Sequence, residues 1–121
     1  MALHSDQGAH AVITYEMSGA GLTGSVALGK LPVGYKIFRG VVLTHVAGTG
    51  SSSPTIAIGI SGSTGKYVAA QSPGVDANVD SLTIIGTSAP TAEEDLLLTY
   101  GGTMPTNSTY RATVVLELIR P

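Results

Sequence analysis

Cysteine and tryptophan are both absent from this 121-residue chain, phenylalanine occurs once, and only 12% of positions carry charge. Without cysteine there is no disulfide framework and no thiolate metal site, and the redox compartment stays open. Six basic and eight acidic residues leave a net charge of −2, too weak a field to attract nucleic acid. The basic residues Lys30, Lys36, Arg39, Lys66, Arg111 and Arg120 are also scattered rather than run together. No apolar run approaches the ~20 residues that span a bilayer, so no membrane partner is expected. The opening Met-Ala-Leu-His-Ser-Asp lacks the basic-then-apolar pattern of a signal peptide, and export by a cleaved signal is not expected.

Uncharged polar residues stand where charge is missing: 12 Ser and 14 Thr, beside 16 Gly. A typical soluble domain is about 25% charged. A surface of hydroxyls and glycine with half that charge tolerates close packing against neighbours, so a subunit of an assembly is expected. The length suits one domain that buries roughly two-thirds of its unfolded surface.

The organising stretch is residues 30–46. Pro32-Val33-Gly34 reads as a turn launching a strand rich in β-branched and aromatic residues. Tyr35, Ile37, Val41 and Leu43 would share one face, interrupted by Arg39, with Phe38, Val42 and Val46 on the other. Both faces being largely apolar, the strand is expected to be packed on both sides. Residues 1–9 read as an arm and residues 10–121 as the folded domain. Alternation marks further strands at His10–Met17, Ser25–Leu28, Thr55–Ser61, Lys66–Ala70, Val79–Ile85, Asp95–Tyr100 and Ser108–Ile119. Gly48–Pro54 reads as a flexible connection, and Thr91 with Glu94 has capping-box spacing for one helical turn. About eight strands without a long helix predict an all-β, antiparallel β-sandwich of jelly-roll type.

The motifs that carry chemistry fail in detail. Gly19, Gly21 and Gly24 spell a dinucleotide fingerprint, but a strand running into Pro32 follows, not a helix. Gly24–Lys30 opens like a phosphate loop, yet Leu31 stands where a magnesium-binding hydroxyl belongs and Pro32 forbids the helix interior. Asp76, Asn78 and Asp80 have calcium-loop spacing without the turn glycine or the distal glutamate. His4, His10 and His45 share no metal-ligand spacing. Adjacent Glu93, Glu94 and Asp95 cannot oppose one another as acid and base. Neither catalysis, cofactor nor metal is expected. The five tyrosines lie in five separate segments without basic interleaving, which favours packing over ligand stacking.

The run Leu28-Gly-Lys-Leu-Pro-Val-Gly34 leads into a long apolar strand and then a Gly/Ser/Thr loop. Ile58-Gly-Ile-Ser-Gly62 and the terminal Ala112-Thr-Val-Val-Leu-Glu-Leu-Ile119 follow. Together these resemble small head decoration, or cement, proteins of tailed bacteriophages. The likeness covers most of the chain from Ser25 onward and departs from the pattern at Thr44-His45 and at 71–91. It implies a virion protein made in the host cytoplasm, bound as a homo-oligomer (a trimer) outside the lattice of a major capsid protein. It further implies that the arm, through Leu3, His4 and Asp6, touches the capsid or a neighbouring subunit, with Leu31, Pro32 and Tyr35 between protomers. The alternative is a glycan-binding or tail-fibre tip module, which would gather tyrosines, or Asp76, Asn78 and Asp80, on one surface.

Overall fold

A computed structural model describes residues 10–76 and 78–120. Its strands are β1 (His10–Ser18), β2 (Ser25–Leu31), β3 (Lys36–Val46), β4 (Ser52–Ile60), β5 (Ser63–Gln71), β6 (Val79–Ser81), β7 (Glu94–Thr103) and β8 (Arg111–Ile119). They form two four-stranded sheets in the orders β1-β8-β3-β6 and β2-β7-β4-β5. Four antiparallel pairings, β1 with β8, β2 with β7, β3 with β6 and β4 with β5, join strands placed symmetrically about the β4–β5 turn. Such symmetry is what one long antiparallel ribbon, closed at that turn and rolled up, produces. The pairings of β3 with β8 and of β4 with β7 complete the two sheets. The result is the expected antiparallel sandwich, with the strand order of a jelly roll.

Period-two alternation fills the space between the layers. Ala112, Val114, Leu116 and Leu118 of β8 face Leu96, Leu98 and Tyr100 of β7 and Ile56 and Ile58 of β4, all buried. Each fully buried Leu or Ile contributes about 1.5–3 kcal/mol of transfer free energy. Tyr67 and Tyr110 are the largest of the fully buried side chains, so the tyrosines here belong to packing.

The stretch 30–46 departs from expectation in one respect. Its turn forms: Tyr35 N–H donates to Pro32 O at 3.1 Å, and Gly34 takes φ +86°, which a type II turn requires at that position. Along β3, however, Ile37 lies opposite Leu118 while Arg39 lies opposite Glu117, so Phe38 is the extra residue of a β-bulge. The bulge resets the alternation. Ile37, Gly40, Val42 and Thr44 are buried towards the core, whereas Arg39, Val41 and Leu43 face outward. The strand is thus packed on one side, and Phe38 is 43% exposed. A side chain at Gly40 would put its Cβ 2.9 Å from Leu116 and 3.0 Å from Leu82, so the glycine lets Leu82 close over the strand.

Three further expectations are corrected. Gly48–Pro54 is not wholly a connection: Ser52 enters the ladder opposite Thr103, with a register shift before Thr55. β6 stops at Ser81 rather than Ile85, because the chain then crosses to the other sheet, where Ile85 N–H donates to Tyr67 O at 2.8 Å. The segment 91–94 forms no helical turn: Glu94 opens β7 instead. There its carboxylate accepts from Lys66 and Tyr67 rather than capping a helix.

The Tyr110 hydroxyl is buried and has no hydrogen-bond partner among the described residues, and burial pushes its phenol pKa up. A polar atom in that position costs desolvation energy without return. Tyr110→Phe is therefore expected to leave the thermal midpoint unchanged or raise it, whereas Tyr110→Ala should lower stability by about 3–5 kcal/mol. Paired denaturant melts would show the difference.

Candidate functional site

Two surface features stand out, a cleft and a sheet face. The cleft, about 450 Å³, lies between the segment Ser88–Glu93 and the start of β5, with Lys66, Tyr67 and Glu94 in its wall. Lys66 Nζ donates to Glu94 Oε2 at 2.6 Å, and the Tyr67 hydroxyl donates to Oε1 of the same carboxylate. The ammonium also sits 5.3 Å from the centre of the Tyr67 ring. Burial opposes ionisation of Glu94, yet the hydrogen bonds from Lys66 and Tyr67 outweigh it and hold the carboxyl below its usual range. Burial, with the adjacent carboxylate, pushes the Tyr67 phenol up. Both oxygens of Glu94 are thus occupied by donors that tie β5 to β7, and no free general base faces the cleft from this group.

The face is the outer surface of the sheet β1-β8-β3-β6. Its register brings Leu43 beside Val79 and Thr113, and Val41 beside Val115 and Ser81. Val12 lies next in line, opposite Glu117. Val79 is 63% exposed and Val12 52%, so an apolar band runs from β6 across β3 to β8. It reaches β1 only diagonally, since Thr14 lies opposite Val115 and Val12 one rank further on. Polar groups frame it. At one margin Arg39 Nε and Nη2 reach Glu117 Oε2 at 2.6 and 2.5 Å, His10 Nε2 lies 3.6 Å from Glu117 Oε1, and the His10 and Phe38 ring centres are 5.9 Å apart. At the other margin His45 Nε2 bonds Thr113 Oγ1 at 2.9 Å and Arg111 stands 3.8 Å from Glu16. The opposite sheet is coated differently: Ser25 and Thr99 bond at 2.8 Å beside Ala27, Ala57 and the Lys30–Asp95 pair. Exposed apolar area rimmed by polar groups marks a contact surface.

The residues singled out from the sequence fall in different places. Leu3, His4 and Asp6 lie outside the described residues. Leu31 is fully buried in the core, which removes its side chain from any contact surface and corrects its assignment to a protomer interface. Pro32 and Tyr35 are half-buried at the surface, where Arg120 stacks 5.6 Å from the Tyr35 ring centre. His10 and His45 sit at opposite margins of the face, and no group of three potential metal ligands forms among the described residues. Tyr67, Tyr100 and Tyr110 are buried, so no tyrosine cluster faces out from these segments. The Asn78 amide folds back on Asp80 and the Asp76 carbonyl as turn chemistry. The outer band itself was readable in outline: Val41, Leu43 and Val115 are apolar at alternate positions whose partners already fill the core.

No family model matches the chain, and no curated protein matches it in sequence. Solved structures share its fold. A chain of the capsid of Ralstonia phage GP4 superposes with a TM-score of 0.69 at 16% identity, covering 99% of this chain and 90% of that one. A chain of the acid-stable capsid of Helicobacter pylori bacteriophage KHP30 gives 0.67 at 11% identity over 91% and 86%. A chain of the cyanophage Pam1 capsid asymmetric unit gives 0.63 at 16% identity over 93% and 85%.

Glu94 supplies a test of the cleft. A carboxyl held below its unfolded value stabilises the fold above that value, about 4.3, and the contribution fades as pH falls through the folded pKa. Glu94→Gln is expected to lower the thermal midpoint at pH 7 and to flatten its decline below about pH 4. Melts of both proteins from pH 7 to pH 2 would read this.

Proposed function

We propose that the chain is a structural protein of a bacteriophage virion, a decoration or cement protein that binds the outside of the major capsid lattice and stabilises the head. The observation that carries this is the apolar band on the β1-β8-β3-β6 face, on a fold shared with chains of three phage capsid structures. The low charge and hydroxyl-rich coat support it, since a clamp of this kind gains affinity from many modest contacts repeated across a lattice. In this reading the band lies against the lattice, and the Ser25–Thr99 face points to solvent. The arm, through Leu3, His4 and Asp6, reaches the capsid or a neighbouring subunit, while Pro32 and Tyr35 lie near protomer contacts. The protein works as a homo-oligomer, a trimer by resemblance. Its role is mechanical, with neither cofactor nor catalysis.

The test is direct. Leu43→Glu and Val79→Glu each place a charge in the band without touching the core. Both are expected to weaken binding to purified heads lacking the protein by at least tenfold while the melting curve stays put. Deleting residues 1–9 should lower occupancy in the same assay. Images of decorated heads should show its density outside the lattice; density confined to a tail fibre, or unchanged binding by both charge variants, would overturn the reading.

A further inference from the structure

We infer that the free edge of β1 is a strand-addition seam, at which two copies of this chain pair antiparallel about Ile13. The inference starts from how the four sheet edges end. An exposed edge offers unpaired N–H and C=O groups to any passing strand, and proteins blunt such edges with bulges, charge, shortness or a covering segment. Three edges here are blunted. β6 is three residues long. β5 is lined by the chain beyond β6, where Ile85 and Gly86 both donate to Tyr67 O and Thr83 N–H donates to Gln71 Oε1. β2 is broken by a register shift between Ala27 and Gly29, and Lys30 sits on it.

Among the described residues, β1 has none of these devices. It pairs with β8 through nine consecutive residues without a register shift, from His10 opposite Ile119 to Ser18 opposite Arg111. It contains no proline, glycine or lysine, and Glu16 is its one carboxylate. Its core-facing residues Ala11, Ile13 and Tyr15 are only half-buried although they pack on the core, because the sandwich is open along this side. A strand laid on the edge would complete that burial.

The residue pattern identifies the occupant as a second copy. Antiparallel pairing about Ile13 sets Ile13 opposite Ile13, Ala11 opposite Tyr15 and Val12 opposite Thr14. It also sets His10 opposite Glu16, twice, by symmetry. Inward positions meet inward positions and outward meet outward, as the two-residue period demands. The imidazole of one copy faces the carboxylate of the other on the outer face, where both side chains are about half exposed. Sliding the centre to Thr14 would put Val12 opposite Glu16 and lose that match. The seam joins two four-stranded sheets into one of eight strands and doubles the apolar band. It is isologous, so it links copies in pairs whatever ring they also form.

The absence of native cysteine makes the test clean. Ile13→Cys is expected to give a covalent dimer on mild oxidation. Ser18→Cys, at the far end of the same strand, should give none. Light scattering of the unmodified protein should return a mass that Val12→Lys/Thr14→Lys halves. The exposed variants His10→Glu and Glu16→Lys should each lower the paired fraction, and the double variant should restore it. Equal cross-linking at positions 13 and 18, a mass that the lysine pair leaves unchanged, or no rescue in the charge swap would overturn the seam.

Discussion

Everything in this molecule depends on two strands from the end of the chain being inserted between strands from its beginning. β1 and β3 do not touch as neighbours; β8 lies between them and bonds to both. β2 and β4 are likewise joined through β7. The first half of the chain therefore forms no sheet by itself, and the core closes only when Leu96, Leu98 and Tyr100 arrive from one side and Val114, Leu116 and Leu118 from the other. Such pairing is almost entirely non-local, so loop-closure entropy must be met before contacts return it, the mark of slow-folding β topologies.

That constraint also explains the unequal outer faces. β8 is buried on its inner side but carries Thr113, Val115 and Glu117 outward, and β3 adds Val41 and Leu43 beside them. Apolar residues at both parities stiffen the two central strands of one sheet and leave a band on its surface. In the other sheet the outward positions of β7 are Asp95, Leu97, Thr99 and Gly101, with Leu97 half-buried between Ala27 of β2 and Gly59 of β4 and Thr99 beside Ala57. Gly59 is fixed there by crowding, since a Cβ would meet the backbone of Ser63 and Thr64 across the tight hairpin. The two outer faces thus differ: one carries an exposed apolar band, the other chiefly small and hydroxyl side chains around Leu97.

Much of this was legible in the residues, and the exceptions share a cause. The alternation of 112–118 and of Ile56 and Ile58 reports directly which side is buried, because both strands are regular there. At Phe38 the same reasoning fails. A bulge inserts one residue and inverts parity downstream, and no residue type announces it; an apparently two-faced strand was the trace it left. Leu31 was misplaced for a related reason, since the chain past the bulge in β2 turns its side chain into the core. The Lys66–Tyr67–Glu94 cluster was invisible because it unites residues 28 positions apart through the pairing of β4 with both β5 and β7. Outward valines, by contrast, were visible but could not be called exposed until the layers were known.

The late arrival of β8 has a consequence during synthesis. While the ribosome is still adding residues beyond β6, nascent β1 and β3 hold unsatisfied backbone and apolar side chains in water. Chains crowded on one polysome could join through those strands before their own β8 exists. A sequence poor in like-charge repulsion has little to keep such neighbours apart. Yield in a heterologous host should accordingly respond to translation speed and to chaperone supply more than to the melting point of the finished molecule.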